Sequence, residues 1–286
     1  MATWTMRAAG LRHSWPEGPG TYTEDDFRCE PDAVVIGHGC GAIGGQGRPA
    51  GKLAVWSVIA ELEREGAREA RLRAGLVRAD EAVARLSWGW EGLITPFATA
   101  AALCRDGDGL LTAHVGDCRI SRCRVDRLEP VTIDHTLAVE HPELTAYPHM
   151  VTRVLGRSGA AEVARLAVRG DDRFALATPS VHRALADDEL AVLIGGADDL
   201  DAACARVIGA VEARVAYGSA MICVVQLGSA TATSSGSSRR PASSWLFAPG
   251  RALPPAAPRW APGGEGRGPD SRWFAEVYGI VMGEDD

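Results

Sequence analysis

The stretch Leu110-Leu-Thr-Ala-His-Val-Gly-Asp-Cys-Arg119 begins as an apolar run and becomes polar at a Gly-Asp pair. A second apolar run, Phe97 to Cys104, precedes it, and Asp106-Gly-Asp-Gly109 separates the two. Because an Asp-Gly pair readily adopts the positive φ angles of a tight turn, the pattern predicts a β-hairpin. We therefore expect antiparallel strands at the centre of the fold.

Further short apolar runs, separated by Gly and Asp, predict a set of strands around this hairpin. The predicted strands are Ala33 to Gly37, Phe97 to Cys104, Leu110 to Val115, Arg119 to Val125, Val163 to Val168, Phe174 to Thr178 and Ala220 to Leu227. Apolar residues at helical spacing predict helices over Lys52 to Glu65, Ala67 to Leu86 and Leu200 to Val215. Strands grouped between blocks of helix indicate an α+β layered fold rather than alternating parallel units.

The chain of 286 residues changes composition after Leu227. Residues 228–286 are rich in Ser, Gly, Pro, Ala and Arg, a composition that buries too little apolar surface to offset the entropy of ordering. The sequence therefore predicts one domain over residues 1–227 and a disordered tail over residues 228–286. Trp273 to Met282 regains hydrophobicity, and a frayed end is favoured there over a docking segment.

Composition and charge exclude several functional classes. The formal net charge of -7 provides no basic surface for nucleic acid. No run approaches the roughly 18 apolar residues of a membrane span, and the opening residues lack a secretory signal, so a cytoplasmic protein without membrane contact is expected. The seven cysteines are scattered without a CxxC pair, which favours small buried side chains over a zinc or redox centre.

The central hairpin and the segment Asp126-Arg-Leu-Glu-Pro-Val-Thr-Ile-Asp-His-Thr-Leu137 together resemble a motif of the PPM (type 2C) serine/threonine protein phosphatases. Members of that family carry a His-Val-Gly-Asp-Ser-Arg strand followed by Thr-x-Asp-His-Ser. Three further segments resemble family motifs in the family's order: Thr23-Glu-Asp-Asp-Phe27, Val151-Thr-Arg-Val-Leu-Gly156 and Ala186-Asp-Asp-Glu-Leu190. The resemblance covers about Arg7 to Leu227. It implies the family's α-β-β-α sandwich, in which helices flank two antiparallel sheets.

The resemblance also implies an activity, the hydrolysis of phosphoserine and phosphothreonine by two Mg²⁺ or Mn²⁺ ions that share a bridging water. Such ions lie about 4 Å apart and activate the water, so the site needs several carboxylates to balance their charge. Family members take these carboxylates from an Asp-Gly-x-Gly-Gly loop, from a Ser-Asp-Gly motif, and from an acidic pair that opens the last strand.

This chain departs from the family at all three places. Ile36 occupies the first position in Val34-Val-Ile-Gly-His-Gly-Cys40, and the rival frame Gly41-Ala-Ile-Gly-Gly45 has no Asp either. Pro179 takes the second position, and Gly218-Ser219 takes the third. Because none of these side chains offers the carboxylate that a hard cation prefers, the resemblance implies a pseudophosphatase. No metal cofactor is expected, and Mn²⁺ or Mg²⁺ would be needed if the protein were active.

Five residues remain as candidates for the family's site. His38 stands where some members have a proposed general acid, and Asp117 matches an Asp that helps to bind an additional, weaker metal. Glu24 and Asp25 match carboxylates that support metal-bound water, and Gly37 follows the missing first ligand. Simpler interpretations are a structural or exposed His38, an Asp117 bonded within its own turn, and a solvated acidic turn at Glu24 and Asp25.

Three other segments bear on the expected site. Asp134 and His135 reproduce the family's Asp-His pair, which can cap a turn. The family arginine that grips phosphate belongs just before Thr23, where Gly18-Pro-Gly20 stands instead. The glycines between Val34 and Gly47 match no nucleotide-binding motif, so we expect them to preserve a backbone shape.

The leading hypothesis is a regulatory or scaffolding domain with a protein partner, either a kinase or a phosphoprotein, and this partner class rests on family analogy alone. The alternative is an active phosphoserine/phosphothreonine phosphatase with relocated ligands, using Asp117 plus Asp25 or the group Asp198, Asp199 and Asp201. That group is also typical of a helix start, where negative charge is favourable. A third hypothesis is a decayed gene, against which a cooperative unfolding transition would count.

Overall fold

The computed structural model describes residues 4–15, 23–40, 47–86, 95–124, 127–145, 147–197, 199–215 and 218–229. All of them belong to the same structural unit of the chain. Within these ranges, ten strands form two five-stranded sheets, and every neighbouring pair of strands is antiparallel. In this described part of the chain, no helix is long and apolar enough to span a membrane.

The strands follow one another along the chain as β1 (Trp4–Trp15), β2 (Asp25–Glu30), β3 (Ala33–Cys40), β4 (Phe97–Asp106), β5 (Gly109–Val115), β6 (Arg119–Arg124), β7 (Arg127–Pro130), β8 (Glu162–Leu166), β9 (Arg173–Ala177) and β10 (Gly218–Ser229). The first sheet has the order β1-β10-β9-β6-β7, and the second has the order β2-β3-β4-β5-β8. β1 pairs with β10 over its whole length, from Trp4 opposite Ser229 to Trp15 opposite Gly218.

Helices cover both outer faces of this pair of sheets. They are α1 (Gly47–Leu62), α2 (Arg68–Arg85), α3 (Leu137–Glu140), α4 (Pro179–Ala184), α5 (Asp187–Gly195) and α6 (Leu200–Glu212). α1 and α2 pack against the second sheet, whereas α4, α5 and α6 share a buried apolar cluster with the first sheet. The described residues therefore form the α-β-β-α sandwich that the resemblance implies, in agreement with the α+β layered fold predicted from the residue patterns.

A second buried apolar cluster fills the space between the two sheets. Ile36 and Leu103 contribute from the second sheet, and Phe174 and Met221 contribute from the first. All four side chains are withdrawn from solvent, so burial of apolar surface at this interface is a principal source of the fold's stability. The same interface holds Ile36, the residue that the motif resemblance aligns with the family's first ligand.

The sequence-based strands and helices are confirmed, with strand ends within three residues of those predicted. The hairpin is also confirmed, because Asp106 pairs with Gly109 and Gly107 has a φ of 63°. β1, β2 and β7 were not predicted. β1 mixes charged and apolar residues and gains its order from β10, more than 200 residues away along the chain.

The ends of the predicted domain and of α1 differ from expectation. α1 begins at Gly47 rather than at Lys52. β10 continues to Ser229, two residues beyond the predicted boundary at Leu227. The remainder of the predicted tail, including Trp273 to Met282, lies outside the described residues, and so does Gly18-Pro-Gly20.

Candidate functional site

The segments that carry the family motifs meet at one end of the sandwich. His38 on β3 lies opposite Thr99 on β4, and the Thr99 hydroxyl is 3.3 Å from the Cys118 sulfur in the turn between β5 and β6. The neighbouring carbonyl of Asp117 accepts a hydrogen bond of 2.9 Å from His182 Nε2 on α4. The fold therefore brings β3, the β5–β6 turn and α4 together, as a shared site requires.

At the three positions that the motif resemblance assigns to metal ligands, the structure has no carboxylate. Ile36 is fully buried in the cluster between the sheets. Pro179 is the first residue of α4, and the hydroxyl of Thr178 before it accepts a hydrogen bond of 3.0 Å from Met221 N–H, which joins α4 to β10. Gly218 begins β10 with a φ of 147°, a backbone conformation that favours glycine. These side chains do not fit a two-metal centre.

Gly37 and Gly39 allow β3 to approach α1 closely. A Cβ on Gly39 would lie 1.7 Å from the carbonyl oxygen of Gly47, and a Cβ on Gly37 would lie 2.6 Å from that of Gly51. No side chain fits at either strand position unless the helix moves, because backbone atoms cannot yield as a flexible side chain does. The expected backbone-shaping role therefore holds for these glycines, whereas Gly41 to Gly45 lie outside the described residues.

Asp25 and His38 form a hydrogen-bonded pair between β2 and β3, where they lie directly opposite each other. His38 Nδ1 is 2.6 Å from Asp25 Oδ1; the Asp25 side chain is fully buried, and that of His38 is 20% exposed. Burial lowers the pKa of His38, but its interactions with Cys40 and Asp25 outweigh this effect and raise the pKa well above its usual value. His38 is thus held in place by a buried carboxylate.

Glu24 caps the start of α1. Its half-buried carboxylate accepts a hydrogen bond from the Gly47 N–H, and burial raises its pKa despite that bond and the nearby His38. The free N–H groups of a first helical turn favour a negative charge in this position. Of the two interpretations, the solvated acidic turn is wrong for the buried Asp25.

Asp117 is buried in the β5–β6 turn and pairs with a cation supplied by the protein. Arg183 Nη2 on α4 lies 2.8 Å from Asp117 Oδ2. The interpretation of Asp117 as an acid bonded within its own turn is therefore wrong. The guanidinium supplies beside this carboxylate the kind of positive charge that a metal ion would bring.

Asp134 and His135 hold the segment after β7 against the same turn. The Asp134 carboxylate accepts two hydrogen bonds of 2.8 Å from Arg119 Nε and Nη2. His135 Nδ1 accepts a hydrogen bond of 3.1 Å from Gly116 N–H. This geometry agrees with the structural role expected for the Asp-His pair.

One group of potential metal ligands occurs among the described residues, at His114, His135 and Glu162, whose ligand atoms all lie within 4.8 Å of one another. Because His135 Nδ1 accepts the Gly116 N–H, the neutral ring carries its proton on Nε2, the atom that lies 3.2 Å from Glu162 Oε1. Arg153 Nη1 also lies 3.0 Å from the same oxygen. The group is therefore a hydrogen-bonded cluster around Glu162. Nε2 of the neutral His135 carries a proton and has no lone pair for a metal.

The alternative ligand group belongs to the start of α6. Asp199 is the N-cap of α6, and its carboxylate accepts hydrogen bonds from the backbone N–H groups of Asp201 and Ala202. α6 packs on the outer face of the first sheet, and the Asp201 side chain is exposed. Asp198 lies outside the described residues. Helix capping accounts for Asp199, as the sequence indicated.

Solved structures of serine/threonine phosphatases are similar to this chain, among them the following three. The serine/threonine phosphatase PstP/Ppp of Mycobacterium tuberculosis has a TM-score of 0.70 at 18% identity, over 78% of this chain and 99% of that one. The PPM Ser-Thr phosphatase MsPP of Mycobacterium smegmatis, in complex with cacodylate, has a TM-score of 0.67 at 20% identity, over 78% and 98%. A PstP catalytic domain in complex with two manganese ions has a TM-score of 0.64 at 21% identity, over 79% and 100%.

No protein-family model matches the sequence, and no curated protein is similar to it at a significant level. The structural likenesses nevertheless span nearly the whole of each phosphatase domain. The chain therefore has the fold of the PPM-type serine/threonine phosphatases, as the motif resemblance implied.

Sequence reasoning missed one residue of this region, Arg183. A signal for Arg183 was present, because proline is favoured in the first turn of a helix and Pro179 is followed by Ser-Val-His-Arg. That pattern predicts a short helix with basic residues at its end, which is α4.

Proposed function

We propose that this chain is a PPM-fold protein without metal-dependent phosphatase activity that acts as a regulatory or protein-binding domain in serine/threonine phosphorylation signalling. The observation that carries the proposal is the burial in the apolar core of Ile36, which the motif resemblance aligns with the family's first carboxylate ligand. A hard divalent cation needs oxygen ligands, and removal of the bridging one removes the activated water.

The surroundings of Asp117 support the same conclusion. Its carboxylate is neutralised by Arg183, so a cation that entered here would have to displace the arginine from a buried carboxylate. The buried Asp25 carboxylate is similarly engaged by His38. The acids that survive from the family pattern thus have protein partners.

A protein-binding role is supported by the segment between β7 and β8. It exposes several large apolar side chains, namely Ile133, Val139, Leu144, Tyr147 and Met150. Side chains of this kind are the ones that protein interfaces bury. By analogy with the similar structures, the partner would be a kinase or a phosphoprotein.

The test is hydrolysis of a phosphothreonine peptide by the purified full chain with millimolar Mn²⁺ or Mg²⁺. The PstP catalytic domain serves as the positive control, and a cooperative thermal transition shows that the protein is folded. We expect no turnover above background and the same melting temperature in Mn²⁺ and in chelator. Metal-dependent turnover that is lost in Asp117→Ala would overturn the proposal and indicate a rebuilt active site.

A further inference from the structure

Three arginines converge on one carboxylate where α1 meets α2. Glu61 lies in the last turn of α1, and its side chain is only 2% exposed. Arg64 Nη1 lies 3.0 Å and Arg78 Nε lies 2.7 Å from Glu61 Oε1. Arg71 Nη1 lies 3.2 Å from Glu61 Oε2. Because the three guanidiniums share a single carboxylate, they lie close to one another, and we call Arg64, Arg71 and Arg78 the arginine cluster.

The packing of the two helices fixes the position of this cluster. Arg71 and Arg78 lie two turns apart on α2 and therefore share one face of that helix. Between them, a Cβ on Gly75 would lie 2.8 Å from Val58 Cα, so α1 and α2 are in close contact at this point. Burial raises the pKa of Glu61, but the guanidiniums of the cluster outweigh this effect and lower the pKa. Glu61 is therefore ionised and anchors the three side chains.

The arginine cluster has more positive charge and more hydrogen-bond donors than Glu61 uses. Three guanidiniums face one carboxylate, which leaves an excess of two positive charges. Each guanidinium carries five N–H donors, and Glu61 is the only hydrogen-bond or ion-pair partner of these three side chains among the described residues. Within the same residues, Arg71 Nε is buried without any acceptor. Donors left over in this way are available to an acceptor from outside the chain.

The shape and charge of the surface indicate the kind of ligand. The three side chains are 32% to 54% exposed and lie on the outer helical layer. Small-molecule sites are usually concave, whereas a segment of another protein can reach an open helical surface. A phosphoryl group on a side chain carries a charge of about -1.5 to -2 and three acceptor oxygens, which match the excess charge and the unused donors. Glu63 and Glu65 lie in the same connection, but they are exposed, so solvent screens their charge.

We propose that the arginine cluster binds the phosphoryl group of a phosphorylated serine or threonine in a partner protein. Glu61 holds the guanidiniums in place, and their remaining N–H groups donate to the phosphoryl oxygens, as in other arginine clusters that recognise phosphorylated segments. The inference rests on the proposed function, because it specifies the partner of the protein-binding domain. The surface is separate from the candidate site: Glu24 caps α1 at Gly47, and Glu61 lies about 20 Å further along the helix.

The experiment measures how a phosphopeptide protects individual arginines of the full chain from phenylglyoxal. The probe is a threonine peptide that carries a non-hydrolysable phosphonate, and its dissociation constant is obtained first from fluorescence anisotropy. At a tenfold excess over that constant, modification of the arginine cluster should slow by roughly tenfold. Arg73, on the same helix but paired with Glu69 at 2.8 Å, should react at an unchanged rate. Absence of protection, or equal protection of Arg73, would overturn the proposal, and this comparison requires no variant to fold.

Two variants test the same surface by affinity. Arg64→Gln, which alters the most exposed member of the cluster, should weaken binding of the phosphonate peptide by roughly tenfold through loss of a charge-assisted hydrogen bond. Arg73→Gln is the matched control and should bind the peptide as the unaltered protein does. Equal affinities for the three proteins would contradict the proposal. Binding of inorganic phosphate as tightly as the peptide would contradict the assignment to a protein segment.

The outcome is independent of whether the protein is an active phosphatase. The phosphonate cannot be hydrolysed, so its binding is measured even if the protein turns over the ordinary phosphothreonine peptide. Turnover together with protection of the arginine cluster would refute only the absence of activity. Lack of protection without turnover would refute only the phosphoryl-binding surface.

Discussion

Arg183 Nη2 lies 2.8 Å from Asp117 Oδ2, and the two side chains differ greatly in exposure, 43% for the arginine and 4% for the carboxylate. A buried charge of this kind depends on its partner, because water cannot replace the interaction. At this position the protein itself balances a carboxylate that matches a metal-binding acid of the phosphatase family.

Removal of the arginine should therefore be costly. Arg183→Gln is expected to lower the free energy of unfolding by about 3 kcal/mol, since Asp117 keeps its burial and loses its counter-charge. Urea denaturation followed by circular dichroism measures the change. Arg214→Gln is the matched control, because its partner Glu189 lies at 2.7 Å but is 36% exposed; we expect a loss below about 1 kcal/mol there. Equal losses in the two variants would contradict the assignment.

Ile36→Asp tests whether the candidate site can bind a metal ion once a carboxylate is restored at this position. The new carboxylate enters a fully buried apolar cluster, so stability should fall by about 4 kcal/mol. Millimolar Mn²⁺ should not restore the melting temperature, because Pro179 and Gly218 supply no further oxygen ligand. Ile36→Val, which should lose about 1 kcal/mol, separates the effect of charge from that of volume. Recovery of Ile36→Asp by Mn²⁺ would favour the active-phosphatase alternative.

The contact between β3 and α1 leaves no space for a methyl group on Gly39. Gly39→Ala should destabilise the protein by about 3 kcal/mol, because its Cβ would lie 1.7 Å from the Gly47 carbonyl oxygen. Gly209→Ala on α6 is the control, since no atom lies within 4 Å of its added Cβ and alanine favours helix by up to about 1 kcal/mol. The two melting temperatures should therefore move in opposite directions. A tolerated Gly39→Ala would show that β3 and α1 are not in close contact.

His38 should make stability depend on pH. Its pKa in the folded protein is raised well above 6.5, so the stabilisation that it brings is complete below that pH and is lost as pH rises through the folded pKa. The difference in unfolding free energy between the unaltered protein and His38→Gln should thus decline above about pH 6.5. Urea titrations at a series of pH values measure it, with the exposed His141→Gln as control. A difference that stays constant with pH would contradict the folded-state interaction.

The extent to which the sequence predicted this molecule differs from one element to another. The hairpin at Asp106 to Gly109 was predictable because its turn is specified by adjacent residues. β1 was not, because its order comes from pairing with β10 at the far end of the domain, and local patterns carry no record of such contacts.

A similar contrast applies to the site. The substitution at Ile36 was visible because the residues around it match the family motif. The partners of Asp117 and Glu24 were not visible, because Arg183 and Gly47 reach them from separate segments of the chain. Acidic residues in a turn are usually solvated, so burial by a neighbouring helix is what the sequence could not reveal.

The pairing of β1 with β10 has a consequence for biosynthesis. β10 lies between β1 and β9 in the first sheet, yet of the strands in the described residues it is the last to be translated. The edge of β1 that pairs with β10 therefore stays unpaired until residues 218–229 have been translated. This order contrasts with the general tendency of chains to begin folding from the N-terminus. A nascent chain stalled before Gly218 would expose the edges of β1 and β9 together and would be a natural client for chaperones.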